Sequence, residues 1–317
     1  MKSMNSLTQH DDDLSAEDLR RLLVGMRSAF EQGNNAMEFA RAALGKTSNL
    51  TIATLIAYDL QAGAYVNQAL SNPAEKQLWC EQLASLVSRH LSPGGSLLEV
   101  GSGEATTLAG VLEALPAPPT VALGFDISWS RCAHGNGWLK HKHQQAELFV
   151  ADLFNIPLAD ESVDVVYSSH SLEPNGGRET AALSELLRVA KRAVVLVEPI
   201  YELADADARA RMSHHGYVRD LKATAERLGC NVTDYRLLDF YVNPLNPSGV
   251  VCLEKSQARS VTTPAWRCPL TQTPLTRTTD AFSSAETGLV YPVLSGIPLL
   301  CRDHAVLASS FGKPITS

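Results

Sequence analysis

The spacing of hydrophobic residues changes near Pro93, and the change divides the chain. Before it, apolar positions recur at helical intervals. Ser15 with Asp18 forms a capping box, and Leu19, Leu22, Leu23, Met26 and Phe30 follow on one face. Gly45 is a stop for a second short helix. A third helical stretch is predicted over 48–70. Asn72-Pro73 opens a fourth, which carries Leu78, Leu83, Leu86, Val87 and Leu91 and ends at Pro93-Gly94-Gly95. Residues 1–13, with Asp11-Asp12-Asp13, read as a solvated tail.

From Ser96 onward short apolar runs alternate with helix-like segments. Residues 96–100, 121–125, 148–150, 163–168 and 193–197 lack polar alternation, which suits parallel strands buried on both faces. A helix is predicted over Tyr217–Leu228, ended by Gly229. Strands over 232–240 and 249–253 follow, joined by Asn243-Pro244-Leu245-Asn246-Pro247, whose turn chemistry predicts antiparallel pairing. The pattern therefore predicts an α/β fold: a doubly wound sheet of five parallel strands with a C-terminal antiparallel hairpin. Three parts are expected: a tail and helical cap over 1–92, the sheet over 93–255, and a linker (256–267) leading a small β module to residue 317.

Composition narrows the class little. The chain is 45% hydrophobic and 19% charged, as in ordinary globular proteins. A net charge of −7 argues against a polyanionic partner, since nucleic-acid binding rests on a basic footprint. Six cysteines without framework spacing suggest reduced thiols, the N-terminus shows no secretory signal, and no apolar run approaches membrane-spanning length. A cytoplasmic protein without a membrane partner is expected.

The strongest local signal is Glu99-Val100-Gly101-Ser102-Gly103-Glu104-Ala105, a buried strand that turns through small residues into a helix. Glycine is required where backbone must turn tightly against a ligand. The second strand then ends in Asp126, an acid able to accept hydrogen bonds from ribose hydroxyls, and the third in Asp152-Leu153. With Ile156-Pro157 through Val163-Asp164-Val165-Val166, this series resembles the class I S-adenosylmethionine-dependent methyltransferases over about residues 96–255. The resemblance implies that Glu99, Gly101, Ser102 and Gly103 form the first cofactor motif. It also implies that Asp126 holds the ribose, that Ile127, Asp152 and Leu153 surround the adenine, and that Ser169 lies beside the cofactor. Ala105 stands where many members have a third glycine. A nicotinamide site fits worse, because Thr106 replaces the last glycine of its fingerprint.

The methyl acceptor is expected beyond the fourth strand, at the sheet's switch point. There Ser168-Ser169-His170-Ser171-Leu172-Glu173 resembles the family's Ser-x-x-x-Leu-Glu pattern. His170 is the first candidate for a base or positioning group, with Glu173 as its partner; the alternative is that His170 packs on the cofactor or caps a helix. Glu198 and Tyr201 after the fifth strand, and His214-His215 before the next helix, are further candidates for the mouth. Tyr58, Gln61 and Tyr65 are candidate lid residues. Cys132, His134, His141 and His143 lack metal-ligand spacing, and no metal is expected.

Near the C-terminus, Cys268-Pro269 and Tyr291-Pro292-Val293-Leu294-Ser295-Gly296-Ile297-Pro298 resemble the small zinc-ribbon-like activating subunit of several tRNA and translation-factor methyltransferases. Thr271 stands where its second cysteine belongs, so a metal-free module is expected. Three readings follow: a methyltransferase acting on O or N of a small-molecule acceptor; an RNA or protein methyltransferase with a fused activator; or a cofactor-binding scaffold without chemistry.

Overall fold

The computed structural model describes residues 14–45, 51–255 and 263–312. Helix α1 (Ala16–Glu31) starts where the capping box predicts, the Ser15 hydroxyl accepting from the Asp18 N–H at 3.1 Å. The apolar face is narrower than its spacing suggested. Leu22 and Met26 are buried against α2 (Ala36–Leu44) and α3 (Thr51–Leu60), whereas Leu19, Phe30 and Leu23, the last 45% exposed, face outward. Among the described residues the short helices α2 and α3 pack on α1, and they are too short to cover a full stripe. Gly45 ends α2 in the left-handed region, as expected.

The single helix predicted over 48–70 is two, with residues 48–50 outside those described. α3 stops at Leu60, and α4 (Ala64–Ser71) begins after Gly63, whose φ is +99°. The break has a tertiary cause. The fully buried Glu104 accepts from the Gly63 and Val66 N–H groups at 2.9 and 2.8 Å, taking two of the donors a new helix start leaves free. Helix α5 (Pro73–Ser88) then leads to the sheet, with Leu78 exposed.

The sheet and its crossovers run β1 (Ser96–Val100), α6 (Thr106–Ala114), β2 (Val121–Asp126), α7 (Trp129–His141), β3 (Glu147–Val150), β4 (Val163–Ser169), α8 (Glu179–Val189), β5 (Ala190–Pro199), α9 (Ala206–His215), α10 (Leu221–Arg227), β6 (Asn231–Leu237) and β7 (Ser248–Glu254). Strand order is β3-β2-β1-β4-β5-β7-β6. β1 to β5 are parallel, and β7 lies antiparallel between β5 and β6. The doubly wound α/β expectation holds. Register pairs Val100 with Phe125 and with Ser168, Asp126 with Val150, and Ser169 with Val197. The carboxyl ends of β1 to β4 therefore finish side by side, the place where such sheets bind ligands.

The helix expected over 217–228 is shorter, and α9 precedes it unpredicted. α9 has no apolar periodicity; only Ala208 and Met212 are buried, and Asp205 caps it through the Ala208 N–H at 2.9 Å. His214 and His215 thus close α9, before the left-handed Gly216, rather than opening the next helix.

The C-terminal segment forms a second, antiparallel sheet of β8 (Thr276–Arg277), β9 (Ala281–Ser283), β10 (Leu289–Leu294), β11 (Ile297–Pro298) and β12 (Val306–Leu307). It docks on β3, the edge of the main sheet. Leu299 pairs in parallel with Val150, and the Leu300 N–H donates to the Val150 carbonyl at 2.8 Å. Residues 265–267 are not a free linker: Ala265 and Arg267 bond to the backbone of Ala159 and Pro157, and Trp266 stacks edge-on between Phe149 and Phe282 at 5.1 and 5.0 Å. Residues 256–262 of the expected linker lie outside those described. No helix among the described residues is long and apolar enough to cross a membrane.

Candidate active site

The turn after β1 opens the site. Gly101 and Gly103 have φ of +61° and +54°, a region where a Cβ is disfavoured. A Cβ on Gly101 would collide with Ser171, and one on Gly103 would lie 3.4 Å from the Tyr65 ring. Ala105 shares this conformation (φ +52°) just before α6, so the methyl group there is tolerated at a cost of about 1 kcal/mol. Around this turn two buried hydroxyls, Ser102 Oγ and Ser171 Oγ, have no protein partner, while the carboxyl of Glu99 faces the Tyr167 hydroxyl. Buried polar atoms are normally paired, and of these two hydroxyls Ser171 stands against the bare face of Gly101.

The ends of β2 and β3 supply the acids. Asp126 Oδ2 accepts from the Gly103 N–H at 3.1 Å and Oδ1 from the Ser128 N–H at 2.9 Å, which ties β2 to the glycine turn. Burial raises the Asp126 pKa, against those hydrogen bonds and the nearby Arg131 charge. Ile127 is half-buried beside it. Asp152 follows β3 and caps its own turn by accepting from the Phe154 N–H at 3.0 Å, with Leu153 packed on the core.

The N-terminal helices roof this floor. The Arg131 guanidinium lies between the rings of Tyr58 and Tyr65, 5.0 and 4.6 Å from their centroids, and donates to the Tyr58 carbonyl at 3.1 Å. Burial pushes the Tyr58 hydroxyl up to about 12. Tyr58 and Tyr65 thus sit where lid residues were expected, whereas Gln61 is exposed. Arg131 and Glu104, which fix the roof, were missed; a lone arginine on a helix and an acid in a glycine turn carry no sequence signal for it.

Past β4 lies the third component. His170 has φ +57°, an uncommon conformation for a non-glycine residue. Its Nδ1 is 3.1 Å from Glu173 Oε2 and its Nε2 2.7 Å from Ser248 Oγ. The Trp79 ring packs edge-on at 5.4 Å, and the Trp79 indole N–H donates to Ser169 Oγ at 3.3 Å. Burial alone would lower the His170 pKa, but the hydrogen bond and charge of Glu173, with Glu198 behind, more than offset it and the value is raised.

Glu198 is fully buried and does not line the mouth. Its carboxylate accepts from Ser168 Oγ at 2.7 Å and from the Ser171, Leu172 and Glu173 N–H groups, each at 3.1 Å. It is the post around which the β4 loop is wound. Tyr201 instead stacks under Arg219, 4.2 Å from its ring centroid. The Gly176 and Val218 N–H groups donate to the Gly216 and Glu173 carbonyls, which brings Tyr217 and the end of α9 against the loop.

Other residues singled out by sequence stand apart. Cys132 Sγ faces the Phe149 carbonyl at 3.5 Å, and His141 stacks on Trp138. An open apolar depression of about 480 Å³ between α4 and α7, lined by Val66, Leu70, His134 and Trp138 among others, contains none of the glycine-turn, Asp126 or β4-loop residues.

Solved structures to which the chain is similar include a complex from Haloferax volcanii between the Trm112 methyltransferase activator and a methyltransferase (12% identity, 62% of this chain and 96% of that one, TM-score 0.47). Others are an Aquifex aeolicus SAM-dependent methyltransferase (16%, 55% and 88%, 0.43) and magnesium protoporphyrin IX methyltransferase from Synechocystis PCC 6803 with bound SAH (14%, 74% and 100%, 0.44). No curated protein matches the sequence. A family model described as methyltransferase domain matches residues 97–193, the stretch from β1 into β5 that holds the glycine turn and the ends of β2, β3 and β4.

Proposed function

We propose that the chain moves a methyl group from S-adenosylmethionine to an oxygen or nitrogen of a small-molecule acceptor. The observation that carries the cofactor is the unpartnered Ser102 and Ser171 hydroxyls at the turn of two bare glycines, beside Asp126. Gly101, Ser102 and Gly103 would run under the methionine part and Asp126 would hold the ribose. Ile127, Asp152 and Leu153 would enclose the adenine, with Ser169 at the inner end. When bound, S-adenosylmethionine supplies a methyl carbon already activated by a sulfonium. The protein then has to align the acceptor and, where the acceptor is protonated, take a proton. His170 and Glu173, joined at 3.1 Å, are the groups for that task.

A second reading, an RNA or protein acceptor, draws on the C-terminal module, which resembles an activating subunit and docks on β3 through Leu299 and Leu300. The chain's charge of −7 favours the small acceptor over RNA. In either reading the module's first role is to stabilise the catalytic domain.

Calorimetry with S-adenosylmethionine and S-adenosylhomocysteine tests the proposal. Both should bind, and Asp126→Ala should weaken binding at least tenfold, about 1.4 kcal/mol, with the fold intact. No binding of either ligand overturns the reading. Screening metabolites and then tRNA for S-adenosylhomocysteine release separates the two acceptor classes.

A further inference from the structure

The bonds around His170 reach beyond the loop that carries it. Ser248 opens β7, seventy-eight positions further along the chain, yet its hydroxyl is 2.7 Å from His170 Nε2. Asn246, in the turn before it, donates through Nδ2 to Glu173 Oε2 at 3.3 Å and lies 3.5 Å from His170 Nδ1. Carboxylate, imidazole and hydroxyl thus stand in line, the order that activates a serine nucleophile in hydrolases. Access rules that activity out: Ser248 is 1% exposed, and its hydroxyl already points to the Asn246 carbonyl at 3.3 Å. The hydroxyl has the ring as its working neighbour, not a substrate.

We propose that Ser248 and Asn246, from the β6–β7 hairpin, are positioning residues that hold the His170–Glu173 pair from behind and fix the plane and tautomer of the imidazole. The proposal rests on the reading of that pair as the acceptor-facing groups. The backbone at His170 is strained, and such conformations persist where surroundings over-determine them; the hairpin supplies that constraint. With His170 protonated, Nδ1–H donates to Glu173, Nε2–H to Ser248 Oγ, and the Ser248 hydroxyl to the Asn246 carbonyl, so every donor has an acceptor. With His170 neutral and Nδ1 still protonated, the Ser248 hydroxyl turns and donates to Nε2. A serine serves both states, and alanine neither. The other charged groups that act on the ring are Glu198, which favours its protonated form, and Lys76, which opposes it; the uncharged Trp79 covers one side. The hairpin variants leave all three in place.

Nitrogen-15 NMR titration of the full chain tests this, with the His170 signals assigned by their loss in His170→Gln. Ser248→Ala removes a bond from both forms of the ring, and the one made by the charged Nε2–H is the stronger, so the His170 midpoint should fall by about one unit, a tenfold loss of proton affinity. Ser248→Thr should restore it. Asn246→Ala removes a donor from Glu173 and should move the midpoint the other way. Opposite signs from neighbouring residues are not what general loosening of the hairpin produces. A midpoint unmoved by Ser248→Ala, or two shifts of the same sign, would overturn the proposal. If Ser248→Ala does not fold, the Asn246→Ala and Ser248→Thr arms decide it. Calorimetry with S-adenosylhomocysteine on the same samples separates the failures: ligand binding with a flat titration sinks the positioning role, and the expected titration without ligand binding sinks the methyltransfer reading.

Discussion

Two buried carboxyls show how burial and bonding compete at a single residue. Glu198 has hydrogen-bond donors at both oxygens and still has its pKa pushed up to about 7, burial being the largest cause. Glu99 is pushed to about 8 by burial, with Lys76 and the Tyr167 hydroxyl pulling the other way. Both values lie above the ordinary 4.5, so the folded chain keeps protons that the unfolded chain has lost. The stability this contributes is full below about pH 4.5 and is lost as pH rises through about 7 and 8. Glu99→Gln keeps the shape and removes the titration. Its melting temperature should vary less with pH between about 5 and 8 than that of the wild type, followed by circular dichroism. Parallel curves would mean that Glu99 is ionised throughout. Glu99 was legible as part of a motif, but its environment was not, because that depends on Tyr167 of β4 and Lys76 of α5 beside it.

Among the elements, β3 shows how an edge is managed. An edge strand exposes unpaired backbone groups and invites association. Here the Leu300 N–H covers the Val150 carbonyl, Leu299 continues the pairing, and Arg277 meets Glu147 at the start of the strand. Leu300→Pro removes that donor and leaves a buried carbonyl unpaired, at a cost of about 1–3 kcal/mol. Urea unfolding should report a loss of that size, with more aggregation at equal protein concentration; a midpoint within error of the wild type would make the docking incidental. The places of β1 to β5 along the chain were readable in the sequence because each apolar run is short and bounded by turns. The module's attachment was not, because Ala265–Arg267 look like linker until Phe149 and Phe282 close on Trp266.

For the whole molecule, the distribution of core decides what unfolds together. Phe282, Tyr291 and Leu300 of the C-terminal segment share one apolar cluster with Leu98, Phe125, Phe149 and Val194 of the sheet. Helices α1 to α3 have a separate, smaller cluster built largely of alanine around Leu22, Met26 and Ile56. Little apolar area is buried there, so this cap should open at lower free energy than the sheet. Native-state hydrogen exchange should find amides of α1 and α2 exchanging well before those of β1, β4 and β5, while β10 exchanges with the sheet. Equal protection in α1 and β4 would show that cap and sheet form one cooperative unit. A cap that opens first also suits a roof of Tyr58, Tyr65 and Arg131 over the glycine turn.

By itself the sequence determined the local events: strands buried on both faces, glycines at the β1 turn, acids at the ends of β2 and β3, and histidine with glutamate after β4. Each follows from spacing within a few residues, where backbone sterics and apolar periodicity act. Only the tertiary structure decided the rest. Glu104 breaks α3 from α4 by taking the Gly63 and Val66 N–H groups, Glu198 winds the β4 loop, and Ser248 meets His170. These contacts join residues 26 to 78 positions apart through side chains whose types are common. No local pattern encodes them, because a hydrogen bond's partner is set by where the packed sheet brings the two groups.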